Sequence, residues 1–137
     1  MFDLIIKDAT LYDGSGAPPR TGDVGVKNGV IKAIGTLVER ATKTVKAKGL
    51  AVSPGFVDIH SHSDYFLLIE PLADSKITQG VTTEIGGNCG YAAAPIWGEA
   101  RERRKEEYLK YYQLDTSWGT LEEYFDRLQK GGIGINY

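Results

Sequence analysis

The chain has 137 residues, with 16 basic and 18 acidic side chains and a formal net charge of -2, which gives no electrostatic basis for binding nucleic acid. Its residues are 42% hydrophobic and 25% charged, the make-up of a chain with a core rather than a disordered one; yet it is too short for a closed (β/α)8 barrel, which takes roughly 200 residues or more. One cysteine excludes an internal disulfide framework, no run approaches the ~18 apolar residues of a membrane helix, and the N-terminus lacks a signal-peptide pattern, so a cytoplasmic location is expected.

Residues 1–53 read as the N-terminal part of a small antiparallel β-sandwich. Phe2, Leu4 and Ile6 alternate with Asp3, Ile5 and Lys7, the period of a half-buried strand. Asp13-Gly14-Ser15-Gly16 and Pro18-Pro19 break the chain. Asn28-Gly29 between Val24/Val26 and Val30/Ile31/Ile34 marks a hairpin, because both residues accept a positive φ. Leu37 to Val45 and Leu50 to Val52 read as further strands.

At Ser53-Pro54-Gly55 the character changes, and residues 54–137 read as β/α units. Phe56 to His62 reads as a buried strand and Pro71 to Gln79 as a short helix closed by Gly80. Val81 to Ile85 reads as the next strand, with a tight loop over Gly86-Gly87-Asn88-Cys89-Gly90. Glu99 to Tyr112 is a charged helix. Thr120 to Lys130 is another, with Thr120 and Glu123 forming a capping box and Gly131 as the stop. Ile133 to Tyr137 opens a third strand. The β-α-β-α-β order predicts an α/β arrangement with a parallel sheet.

Two places carry candidate chemistry. His60 and His62 are the only histidines, and on a strand residues i and i+2 share a face about 6.5 Å apart. They fit a metal site, or are two ordinary histidines at a strand end. Asp58 shares that face and is a candidate for orienting a ligand. Cys89 sits among glycines after the next strand, as a zinc ligand or as a small buried apolar residue. Parallel neighbours would bring both loops to one rim, where barrel active sites lie. Glu84 is a candidate base or structural ion pair, and Asp64 a substrate contact or turn cap. The Arg/Glu face of residues 99–110 reads as solvated. Tyr108, Tyr111, Tyr112, Trp118 and Tyr124 read as packing residues.

Three stretches resemble a known family. Pro54-Gly55-Phe56-Val57-Asp58-Ile59-His60-Ser61-His62-Ser63-Asp64 is similar to the first barrel strand of the amidohydrolase superfamily. Lys76-Ile77-Thr78-Gln79-Gly80-Val81-Thr82-Thr83 resembles its second strand and the preceding helix end. Gly87-Asn88-Cys89-Gly90 with Ala94-Pro95 resembles the N-acyl-D-amino-acid deacylase (D-aminoacylase) branch. The resemblance implies a partial β-domain followed by the first units of a metal-dependent TIM-type barrel. It implies one or two zinc ions held by His60, His62 and Cys89, with Asp58, Asp64 and Asn88 supporting the site or meeting substrate. The implied reaction is hydrolysis of a small N-acyl-D-amino acid to a carboxylate and a free D-amino acid.

The family's further histidines, general-base aspartate and substrate-binding arginine fall outside these residues. The expectation is therefore the N-terminal subunit of a split or nicked enzyme, inactive until a second polypeptide completes the barrel, with higher oligomers left open. Hydrolysis of another amide, cyclic or D-peptide, and a non-catalytic metal-binding or interaction role are the competing expectations.

Overall fold

Strand β1, Phe2–Leu11, organises the N-terminal residues by pairing along both of its edges. A computed structural model describes residues 1–137, which separate into two units, Met1–Pro54 and Gly55–Tyr137. In the first, β1 runs antiparallel to β2 (Arg20–Lys27), and β2 antiparallel to β3 (Val30–Gly35). Strands β4 (Ala41–Lys46) and β5 (Ala51–Val52) pair parallel to β1. This is one mixed five-stranded sheet in the order β3-β2-β1-β4, with β5 also on β1. The sheet is mixed rather than antiparallel as expected, because after β3 the chain returns to the free edge of β1 and pairs parallel to it.

The β2–β3 turn is as expected, with φ of 52° at Asn28 and 71° at Gly29. The strand expected from Leu37 starts only at Ala41. Leu37 is buried instead, and its amide donates to the Asp23 carboxylate at 2.9 Å rather than to a ladder. Asp23 also accepts from Lys7 Nζ at 2.8 Å and from the amide of Asp8 at 2.9 Å. Asp8 has a φ of 59° and lies where the β1–β2 register shifts between Ile6 and Ala9. Beyond that bulge Ala9 and Leu11 pack with Val24 and Ala47. Ile5 is buried although simple alternation groups it with the outward Asp3 and Lys7.

The second unit contains β6 (Phe56–Asp58), α1 (Phe66–Ile69), α2 (Asp74–Ile77), β7 (Val81–Glu84), α3 (Gly98–Tyr112) and α4 (Leu121–Gly131). Strands β6 and β7 pair parallel, and Thr83 makes a parallel bridge to Asn136. The sheet is open, and no barrel closes. The core is aromatic: Tyr65, Tyr108, Trp118 and Tyr124 pack with Leu67, Leu128 and Ile135. Two of these aromatics also satisfy their polar atoms, Trp118 Nε1 donating to the Ala93 carbonyl at 2.9 Å and Tyr124 Oη to the Asp64 carbonyl at 2.6 Å.

The expected buried strand from Phe56 to His62 is shorter and more open. It ends at Asp58, and Phe56, Val57 and Ile59 are 61%, 56% and 72% exposed. Its only ladder partner is β7, and no second layer of this chain covers those side chains. The helix expected over Pro71–Gln79 is confined to Asp74–Ile77, followed by Gly80 at a φ of 83°. Helix α1 shows no sequence period because it spans one turn. The α4 capping box forms between Thr120 and Glu123, but Gly131 stays helical and Gly132, at a φ of 71°, is the stop.

Asp23 gives this fold a measurable pH signature. The hydrogen bond from Lys7, then those from the Asp8 and Leu37 amides, lower its pKa from the ordinary 3.8 to about 2. Because the folded value is depressed, the stabilisation is complete above about pH 4 and is lost as pH falls towards 2. Asp23→Asn is expected to destabilise the β1–β2 ladder by about 2 kcal/mol at pH 7. Amide exchange in β1 and β2 checks this, with the gap from wild type closing near pH 2.

Candidate metal centre

Strands β6 and β7 run parallel and pair Asp58 with Glu84, so the loops that follow leave the sheet on the same side. The pairing continues past the strands: the Ile85 amide donates to the Asp58 carbonyl at 2.8 Å and the Ser61 amide to the Ile85 carbonyl at 3.0 Å. That register brings the His60-Ser61-His62 segment against the Gly87–Gly90 turn. His60 Nε2 lies 3.3 Å from Cys89 Sγ, and the two imidazoles meet edge to face with centroids 5.3 Å apart. The donor atoms of His60, His62 and Cys89 all lie within 4.8 Å of one another, on exposed side chains. Cys89 reaches this position from a left-handed backbone, φ 56°, between Gly87 at 76° and Gly90 at 72°.

The three supporting candidates all grip the loops. Asn88 Nδ2 donates to the carbonyls of Ile85, at 2.8 Å, and Ser61, at 3.2 Å, and so ties the cysteine turn to the histidine segment. Asp64 is buried; its Oδ1 accepts from the Gly87 amide and from Tyr137 Oη, both at 2.9 Å. Through Oδ1 it braces the loop, while Oδ2 is buried without a hydrogen-bond partner. Asp58 Oδ1 accepts from the His60 amide at 3.1 Å, while its Oδ2 takes Lys76 Nζ at 2.6 Å. It therefore orients the His60 backbone rather than an imidazole. Glu84 is fully buried and accepts from Ser61 Oγ at 3.0 Å and from Ser63 Oγ, with Lys76 Nζ 3.4 Å away. It is the structural ion pair of the two alternatives.

Lys76, Ser61, Ser63, Tyr91 and Tyr137 are residues of this neighbourhood that sequence reasoning did not single out. Lys76 lies in a four-residue helix, too short for a period to reveal which way it faces. The ammonium of Lys76 holds the Asp58 carboxyl below its usual range, helped by the His60 amide and opposed by desolvation. Asp58 in turn raises Lys76. Tyr91 meets His62 edge-on at 6.2 Å between centroids and carries the Arg104 guanidinium 4.8 Å over its ring. Arg104 is thus an exception to the solvated face of α3, where Glu99 and Arg103 pair at 3.6 Å in solvent. Tyr108, Trp118 and Tyr124 are core residues as expected, whereas Tyr111 and Tyr112 are 66% and 44% exposed.

Two imidazole nitrogens and a thiol form a borderline-soft donor set of the kind that suits zinc. Donors of a tetrahedral zinc lie roughly 3–4 Å apart, a range that the 3.3 Å between His60 Nε2 and Cys89 Sγ meets. No family model matches the chain. The chain is 48% identical over 96 residues to D-aminoacylase and 45% over 95 residues to N-acyl-D-aspartate deacylase, both of Alcaligenes xylosoxydans xylosoxydans. Each match covers 69% of this chain. The crystal structure of N-acyl-D-glutamate deacylase from Bordetella bronchiseptica, complexed with zinc and a phosphonate inhibitor, superposes on 98% of the chain with a TM-score of 0.84 and 35% identity.

This chain is a homologue of the N-acyl-D-amino-acid deacylases of the amidohydrolase superfamily. It spans about a fifth of the length of the curated relatives it matches, 19–20%, and 28% of the Bordetella enzyme.

The cluster of His60, His62 and Cys89 is open to a direct spectroscopic check. Cobalt(II) added to the protein is expected to produce a thiolate-to-metal charge-transfer band that Cys89→Ser abolishes. His60→Ala and His62→Ala should each weaken cobalt binding by roughly 10-fold or more. Cobalt that binds the wild-type protein without this band would show that the metal sits elsewhere.

Proposed function

We propose that this chain supplies the first metal ligands of a zinc-dependent enzyme that hydrolyses N-acyl-D-amino acids to a carboxylate and a D-amino acid. The observation that carries the reading is the convergence of His60 Nε2, a His62 nitrogen and Cys89 Sγ within 4.8 Å in a deacylase homologue. The bound metal would polarise the amide carbonyl and lower the pKa of a water molecule. The chain's own contribution is positional. His60 and His62 present ring nitrogens from a segment held at the backbone, and Cys89 presents its thiol from a turn that Asn88 and Asp64 brace. One or two ions are compatible with this ligand set.

The general-base aspartate and the remaining strands of a TIM-type barrel lie, in this reading, in polypeptide beyond these 137 residues, with a second chain as the proposed carrier. The open β6 edge and the exposed Phe56, Val57 and Ile59 support this, as does the greater length of the relatives. A lone cysteine fits a reducing compartment, and on that ground we place the enzyme in the cytoplasm.

Native and denaturing mass spectra of the purified protein, with assays on matched N-acetyl-D- and N-acetyl-L-amino acids and a cyclic imide, test the proposal. The expected result is zinc bound to this chain together with a larger polypeptide, with turnover of the D-substrates alone. Chelation should abolish turnover, and Cys89→Ala should lower it by roughly 100-fold or more. Preference for the L-compounds or the cyclic imide would refute the substrate assignment.

A further inference from the structure

A charged network runs beneath the two histidines. Asp58 Oδ1 holds the His60 amide at 3.1 Å, and its other oxygen takes Lys76 Nζ at 2.6 Å. Glu84 holds both neighbours of His62, through Ser61 Oγ at 3.0 Å and through Ser63 Oγ. Lys76 stands between the two carboxylates, 3.4 Å from Glu84 Oε2 and 3.3 Å from Ser61 Oγ. It is the one cation paired with either carboxylate. The elements involved are separate: β6 and its loop, α2, and the end of β7.

We propose that Lys76 is a positioning residue for the metal ligands, joining the Asp58 grip on His60 to the Glu84 grip on His62 so that both imidazoles are presented together. The proposal rests on the zinc reading above. Two unpaired carboxylates beneath one short loop would repel each other and release it; the ammonium makes them a single brace. The short reach from Lys76 to Asp58, tighter than to Glu84, places most of this effect on His60.

The alternative is that Lys76 merely neutralises the buried Glu84. Lys76→Met alone does not separate the two, since it strands a buried charge and also adds net negative charge that attracts cations. The double variant Lys76→Met/Glu84→Gln keeps the net charge of the wild type and strands no charge at position 84. Full-length protein, with any polypeptide that copurifies, is titrated with cobalt and followed by amide exchange at His60 and by thermal unfolding, with Glu84→Gln alone as the baseline. Positioning predicts that thermal stability recovers in the double variant. Cobalt should still bind about 10-fold or more weakly, and His60 exchange should stay fast. Lys76→Arg is expected to restore most of the binding.

Wild-type cobalt affinity and slow His60 exchange in the double variant would overturn the proposal. A wild-type protein that binds no cobalt would defeat the zinc reading instead. The exchange rate at His60 would then still decide whether Lys76 holds the loop.

Discussion

The chemistry of this chain depends on the parallel register between β6 and β7. The Asp58–Glu84 pairing sets where each strand ends, and the bonds through Ile85 and Ser61 carry the alignment into the loops. A slip of one residue would turn the side chains to opposite faces and separate His60 from Cys89, which lie 29 positions apart in sequence. At Gly55, just before β6, a side chain would overlap that of Thr82 on β7. Strand approach, register and the convergence of the two histidines with Cys89 are therefore parts of one packing problem.

Much of this was legible in the sequence, for identifiable reasons. The Asn28-Gly29 turn, the α4 capping box and the boundaries of α3 follow from local rules that tertiary contacts did not override. The HxH pair and the glycine-flanked cysteine were recognisable from residue type, and the parallel β-α-β order placed them on one side. The supporting roles were less accessible. Nothing local distinguishes an Asp58 that bonds a backbone amide from one that bonds an imidazole. Lys76 looks like any helix lysine until three segments meet around it.

The misjudged elements share a cause. A run such as Leu37–Val45 has strand composition, yet the Leu37 amide goes to Asp23, a partner 14 positions away. The bulge at Asp8 changes which side chains of β1 face inward, and it too is held by Asp23. Phe56, Val57 and Ile59 have the apolar character of a buried strand, but burial needs neighbours on both sides, and β6 has one. Composition reports what a segment would tolerate, whereas pairing depends on what the rest of the polypeptide delivers.

The left-handed backbone at Cys89 also limits how this site can diverge. A φ of 56° is costly for β-branched residues and comparatively easy for glycine, asparagine and aspartate. The replacements that this turn tolerates therefore either remove the donor atom or exchange the thiol for an oxygen or an imidazole nitrogen. An aspartate here would keep the turn and, beside two imidazoles, would leave a two-histidine, one-carboxylate set that suits zinc or iron(II). The shape of one tight turn thus channels the metal preferences open to this lineage.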